Sequence, residues 1–292
     1  MTKKNKTLDT LVDDIYKTIG VLSDGKKIKL TDELLDQLGL DIVQAVKEWA
    51  TPAKRNKATT KALRMSNIGK PERQLWYDMH EEKDTDSEMH PTTFIKFLYG
   101  HILEALLLFF VKVSGHKVEA EQKEVSVKGI KGHMDCKIDG EVIDIKTASG
   151  YAFKKFKEGT LAEQDTFGYM AQLAGYEEAE QTSQGGFLAF NKETGELALF
   201  RPQDLDKPNI TSKIDRVKKI IKSDSPPDYC FDAIPEGKSG NMKLPRECTF
   251  CPYKFKCRAN SNDGAGLRVF NYAKGPVYFT EVVKEPNVEE VL

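Results

Sequence analysis

The dipeptide Asp139-Gly140, set between two runs that alternate apolar and polar residues, constrains this chain more than any other feature. Both residues tolerate the positive φ angles of a two-residue turn, so the flanking segments 132–138 and 141–147 are expected to form a β-hairpin. With that turn, Ile138 faces Glu141, Asp135 faces Asp144 and His133 faces Lys146. Facing side chains lie on one face of the sheet with Cβ atoms ~5 Å apart. Alternation sends Met134, Cys136, Ile143 and Ile145 to the opposite, apolar face.

Two carboxylates forced together repel, and burying both is costly unless positive charge stands between them. A divalent cation would supply that charge, and hard oxygen donors suit Mg²⁺ or Mn²⁺. Lys146 stands beside the pair, placed to stabilise charge on a phosphate or to position an attacking water. A solvated hairpin face carrying ordinary charges fits the same residues, and the hairpin alone does not separate the two readings. Other positions favour the first. Glu104 sits among Leu103, Ala105, Leu106, Leu107 and Leu108 in a helical stretch, 93–113. A carboxylate there needs a partner, or must snorkel to water at the helix boundary. Gln172 and Tyr176, four apart, lie on one face of a second helix, 161–181.

Elsewhere the apolar period switches between helix and strand. Leu34, Leu35, Leu38, Ile42, Val43 and Val46 repeat at helical spacing within 1–50, and 117–128 alternates as a strand. A second hairpin is expected over 186–200, a helix over 210–222, and a last hairpin over 267–283 before an acidic tail. This order predicts an α/β core with a mixed central β-sheet flanked by helices. Net charge is −1, so any positive surface must be local. Lys54, Arg55, Lys57, Lys61, Arg64, Lys70 and Arg73 form one such stretch, leading into Trp76-Tyr77. The run from Ile102 to Val111 is interrupted by Glu104 and reads as too short to span a membrane. The basic N-terminus leads into no apolar segment of a secretory signal. A cytoplasmic protein, of a cell or of a virus's host, is the expectation.

Four motifs in order carry a family resemblance: Gly100-x3-Glu104, Gly132-His133-Met134-Asp135, Asp144-Ile145-Lys146 and Gln172-x3-Tyr176. Together, over roughly 65–260, the chain resembles the PD-(D/E)XK nucleases. It is nearest the RecB-like branch that includes lambda-type exonucleases and RecB-like nucleases of CRISPR systems. The resemblance implies a restriction-endonuclease-like core. Glu104, Asp135, Asp144 and the backbone carbonyl of Ile145 would be metal ligands, and Lys146 the catalytic lysine. Gln172 and Tyr176 would contact the nucleic-acid strand and support the site. Met134 stands where the superfamily's proline would be, and His133 would orient a carboxylate or touch phosphate. His101, beside Gly100, reads as a helix residue first and a neighbour of the site second.

Cys230, Cys248, Cys251 and Cys257 cluster near the C-terminus, whereas Cys136 stands alone on the apolar side of the hairpin and reads as a core thiol. Cys248-x2-Cys251-x5-Cys257 resembles the C-terminal triad of iron–sulfur nucleases in this branch. Their fourth, upstream cysteine is missing from the matching segment Gly69 to Tyr77. Cys230 would complete a local set of four, which suits either structural Zn²⁺ or a [4Fe–4S] cluster.

The expected organisation is an N-terminal helical region (1–50), a basic linker and DNA-contact segment (51–92), a nuclease core (93–228), a cysteine metal-binding segment (229–262) and a C-terminal hairpin with its tail (263–292). Arg64, Lys70, Arg73, Lys154 and Lys155 are candidate phosphate contacts. The expected activity is metal-dependent hydrolysis of DNA phosphodiester bonds, foremost as an exonuclease of recombination, repair or DNA degradation, phage-encoded in one reading. The alternatives are a structure-specific or restriction-like endonuclease, or a non-catalytic nucleic-acid-binding protein on a nuclease scaffold. DNA is the expected partner, with a recombination or replication protein as a further one and no membrane.

Overall fold

A computed structural model describes residues 6–51, 61–83 and 90–291. The chain divides into two compact units, Met1–Gly69 with Met89–Asp215 and Lys70–Glu88 with Arg216–Leu292. Its principal helices are α1 (Leu11–Gly20), α2 (Asp32–Ala50), α3 (Glu72–His80), α4 (Pro91–Val113), α5 (Gly150–Lys157), α6 (Tyr169–Glu180) and α7 (Ile210–Ile220).

The first unit is built on a mixed sheet. Its strands are β1 (Val118–Glu119), β4 (Cys136–Ile138), β5 (Glu141–Ala148), β6 (Gly186–Asn191) and β7 (Leu197–Phe200), in that spatial order. A separate two-stranded ribbon pairs β2 (Lys123–Val127) with β3 (Ile130–Met134). Only β5 and β6 run parallel. The expected mixed α/β architecture is therefore present, with helices against the sheet.

The turn at Asp139-Gly140 forms as expected. Both residues have positive φ, 51° and 95°, and the register pairs Ile138 with Glu141 and Cys136 with Ile143. Beyond Cys136 the ladder stops, which corrects the expectation of one strand over 132–138. The amide of Ile145 donates to the Asp135 side chain at 2.6 Å, while the Asp135 carbonyl accepts from Gln122 at 2.9 Å. The segment 117–128 likewise divides into two strands, with positive φ at Ala120 and Gln122 in the break.

Four consecutive residues of β5, Val142 to Ile145, are buried, as befits a central strand with neighbours on both edges. Ile143 and Ile145 join Cys136, Leu107, Leu108, Val111, Leu11 and Ile15 in one apolar cluster. Cys136 is thus the core thiol anticipated. Aromatic rings form a second group, with Phe187 within 6.0 Å of Tyr169, 5.9 Å of Phe156 and 6.3 Å of Phe200 between centroids. Phe187 is the β6 neighbour of Asp144.

Helix α4 starts with Pro91 in its first turn, and the His90 side chain accepts from the Thr92 amide. It runs for 23 residues, longer than the apolar run in the sequence suggests, and is long and apolar enough to cross a membrane by length and composition. Leu107, Leu108 and Val111 near its C-terminal end lie in the core, whereas Phe94, Ile95, Phe97 and Tyr99 near its start are exposed.

In the second unit, Trp76 and Tyr77 of α3 pack on Tyr253, with Cys251, Cys257 and Ile220 around them. Tyr77 and Tyr253 stack at 5.4 Å, and the Tyr253 hydroxyl donates to Asp78 at 2.8 Å. A small antiparallel sheet completes the unit, the Ile234–Pro235 and Met242–Lys243 strands continuing the hairpin of Arg268–Tyr272 and Gly275–Glu281. That hairpin agrees with the one expected over 267–283.

Candidate active site

Strand β5 holds Asp144 in place because its neighbours on both edges and the aromatic group about Phe187 close over it. The residue is 1% exposed; among the described residues Lys146 Nζ meets its Oδ2 in an ion pair at 2.5 Å, and its Oδ1 has no hydrogen-bond partner. A buried, charged and unbonded oxygen is costly, and such a group calls for an explanation.

Two further carboxylates share the region. Burial raises the Asp135 carboxyl well above the usual carboxylate range, and the charges of Asp144 and Glu104 push it further. Burial also raises Glu104, the charge of His101 opposing and that of Asp144 adding to the rise. Glu104 is steadied by Gln122, whose Nε2 donates to Oε1 at 2.8 Å. Burial by itself would lower the Lys146 ammonium, but Asp144 and Asp135 outweigh it and hold the lysine firmly protonated. Three acids thus share one cation, with a fifth of the Lys146 side chain still open to solvent.

Helix α4 and strand β5 line a cleft of about 340 Å³ beside this cluster, bounded by Lys96, Phe97, Gly100, His101, Glu104, Ile145, Lys146, Thr147 and Lys192. On another side, the Tyr169 ring lies 4.8 Å from Lys146 Nζ.

The structure therefore gathers Glu104, Asp135, Asp144 and Lys146, although Asp135 reaches the group from the strand break rather than from a ladder pair with Asp144. His101 is both exposed on its helix and a lining residue of the cleft. His133 does not join them. Its strand pairs with β2, where Glu124 is its partner, and its ring is exposed, 3.8 Å from the Glu124 carboxylate. The expected pairing of His133 with Lys146 fails because the ladder breaks at Asp135. Tyr176 supports the break from behind: its hydroxyl donates to the His133 carbonyl at 2.7 Å and accepts from Gln172 at 3.1 Å. Burial pushes the Tyr176 phenol up to about 12, so it stays a neutral donor.

Sequence reasoning missed Tyr169, Gln122, Lys96, Phe97 and Lys192. Tyr169 carried a signal, since positions 169, 172 and 176 fall on one helical face. Gln122 carried none, because it precedes a strand and meets Glu104 only through the fold.

The candidate phosphate contacts are dispersed. Lys54, Arg55 and Lys57 lie outside the described residues. Lys70 pairs with Asp78 at 3.1 Å, and Arg73 donates to Cys257 Sγ at 3.2 Å and to the Pro227 carbonyl. Arg64 bridges to Lys131 through the backbone. On α5, Lys154 pairs with Glu158 at 3.6 Å and Lys155 sits over Tyr151.

None of the five cysteines is joined in a disulfide. Burial, together with the charges of Cys251, Cys257 and Cys230, pushes Cys248 up to about 12 against an opposing Arg258, and Cys251 reaches about 11. The four clustered thiols therefore lie within electrostatic reach of one another. Among the described residues, however, no three His, Cys, Asp or Glu side chains are already drawn to coordinating distance, in either cluster.

No family model and no curated protein matches the chain. One solved structure, of a protein named SSO0001, superposes with a TM-score of 0.38 and 15% identity over 74% of this chain and 93% of that one. A likeness that distant carries no argument about function.

Proposed function

We propose that this protein is a metal-dependent deoxyribonuclease of the PD-(D/E)XK type that hydrolyses phosphodiester bonds, acting foremost as an exonuclease. The observation that carries the reading is the buried Asp144 carboxylate, with Oδ1 lacking any hydrogen-bond partner among the described residues and Oδ2 against Lys146, ringed by Asp135 and Glu104. Three acids repelling one another around one lysine fit a divalent cation such as Mg²⁺ or Mn²⁺, for which Asp144, Asp135, Glu104 and the Ile145 carbonyl would be the ligands. When bound, that ion supplies Lewis-acid chemistry to phosphate ester hydrolysis.

The chain's own residues do the rest. Lys146, held protonated, is placed to stabilise charge growing on the phosphate. Tyr176 and Gln172 fix the carbonyl of His133, and so the path of the backbone into Asp135. Gln122 orients Glu104. Lys96 and Lys192 border the cleft where a phosphodiester backbone would enter.

The test is a cleavage assay on end-labelled linear and closed circular DNA with Mg²⁺, Mn²⁺ or EDTA, wild type beside Lys146→Ala. Metal-dependent loss of linear DNA alone, absent in the variant, supports an exonuclease at this site. Cut circles move the assignment to an endonuclease. Folded wild type that cuts neither, with metal present, rejects catalysis in favour of a binding protein.

A further inference from the structure

Two exposed aromatic side chains adjoin Lys146 by separate routes. Phe167 is 68% exposed. One side of its ring stacks on Tyr169, with centroids 5.5 Å apart and planes 26° from parallel. Lys146 Nζ in turn lies over the Tyr169 ring, 4.8 Å from its centroid. Phe97 is 49% exposed and lines the cleft together with Lys96, Lys192 and Lys146. Neither Lys96 nor Lys192 forms an ion pair among the described residues.

Both rings keep much of their surface open, Phe97 beside lysines that form no ion pair among the described residues. They match what a nucleic-acid strand presents, since flat bases stack on aromatic rings while lysines follow the phosphates. A base inside a duplex has both faces occupied by its stacked neighbours. Only an unpaired base offers a free face to Phe167 or Phe97.

We propose that Phe167 and Phe97 are specificity-determining residues that stack on unpaired bases flanking the scissile phosphate, so that the strand is single where it crosses the site. The proposal rests on the nuclease reading for the meaning of the site, but its test does not require cleavage. Tyr169 is a positioning residue, fixing the Phe167 ring relative to Lys146.

The experiment measures fluorescence anisotropy of the full chain, with EDTA present, against three probes: an unpaired oligonucleotide, the blunt duplex of the same sequence, and the unpaired strand with abasic residues. Wild type is expected to bind the unpaired strand at least ~10-fold more tightly than the duplex, and Phe167→Ala and Phe97→Ala should each lose roughly 5- to 100-fold. Abasic residues should weaken wild type by a larger factor than either single variant, and the double variant Phe97→Ala/Phe167→Ala little further. Phe167→Trp should retain binding. Thermal unfolding checks that the variants fold, which an exposed position allows. Equal affinity for duplex and single strand, or an abasic penalty that survives undiminished in the double variant, overturns the proposal. Inactive wild type in the cleavage assay would reject the nuclease reading and leave this outcome to be judged separately.

Discussion

The carboxylate cluster around Asp144 and the thiol cluster near the C-terminus both gather ionisable side chains of one kind, yet they are built differently. Asp144 and Lys146 lie two apart on a central strand with neighbours on both edges, so the geometry of that pair is set by the sheet, while Glu104 comes from α4 and Asp135 from the strand break. Cys248 and Cys257 lie on Arg246–Thr249 and Lys254–Cys257, each a single helical turn, and Cys230 and Cys251 lie outside any helix or strand. Arg73 and Tyr253 steady that segment from α3 and from its own chain. One cluster is therefore placed by regular structure, with burial and neighbouring acids raising Asp135 and Glu104. The other has little regular structure of its own, and its order would come from what the thiols hold.

Asp144→Ala tests the rigid half with the largest effect. DNA cleavage should fall at least ~10³-fold while cooperative unfolding is kept, in line with the loss of a preorganised charge. Cleavage within tenfold of wild type would remove Asp144 from the site.

Cys248→Ser tests the other half. If the thiols hold zinc or an iron–sulfur cluster, the purified wild type contains about one such centre per chain, and the variant loses it together with several kcal/mol of stability in the second unit, about the scale of structural metal sites. Elemental analysis and visible absorption distinguish the two metals, and a metal-free wild type with unchanged unfolding in the variant would leave free thiols.

A pH effect separates the clusters further. Asp135 and Glu104 have folded-state values raised above those of the unfolded chain. Folding therefore takes up protons, and stability from this site is greatest at acidic pH and falls as pH rises from the unfolded carboxylate range through the raised values. Mn²⁺ opposes that loss, so its stabilisation should be larger at pH 8 than at pH 5, about 2.7 kcal/mol at a hundredfold excess over Kd. Thermal unfolding with and without Mn²⁺ reads the difference; equal shifts at both pH values would argue against coupled acids.

Gly132→Ala probes the packing behind the site. An added Cβ would meet Met65 Cβ at 2.5 Å and Tyr176 Cε1 at 2.9 Å, so a loss of about 1–3 kcal/mol is expected from overpacking. Smallest is Tyr176→Phe, which removes the bond to His133 and costs about 1 kcal/mol, with a modest loss of rate. Chemical denaturation measures both.

Much of the frame was legible because it rests on local rules. Asp139-Gly140 dictates its turn, the period of 93–113 dictates a helix, and Asp144 and Lys146 follow from register. The break at Asp135 was not legible, because a side chain competes there with the backbone ladder and nothing in the local pattern announces it. His133 was misplaced for that reason. Gln122, Lys96 and Lys192 meet the site only through tertiary approach, which no periodicity records. Phe97 and Phe167 read as ordinary apolar residues until their exposure beside Lys146 is seen.

The central claim is that Asp144, Asp135 and Glu104 form a divalent-cation site, and calorimetric titration of the EDTA-treated protein with Mn²⁺ tests it most directly. Saturable binding to wild type that disappears in Asp144→Asn, while the variant unfolds cooperatively, is the predicted result. No binding to well-folded wild type, or binding that Asp144→Asn leaves unchanged, would contradict it.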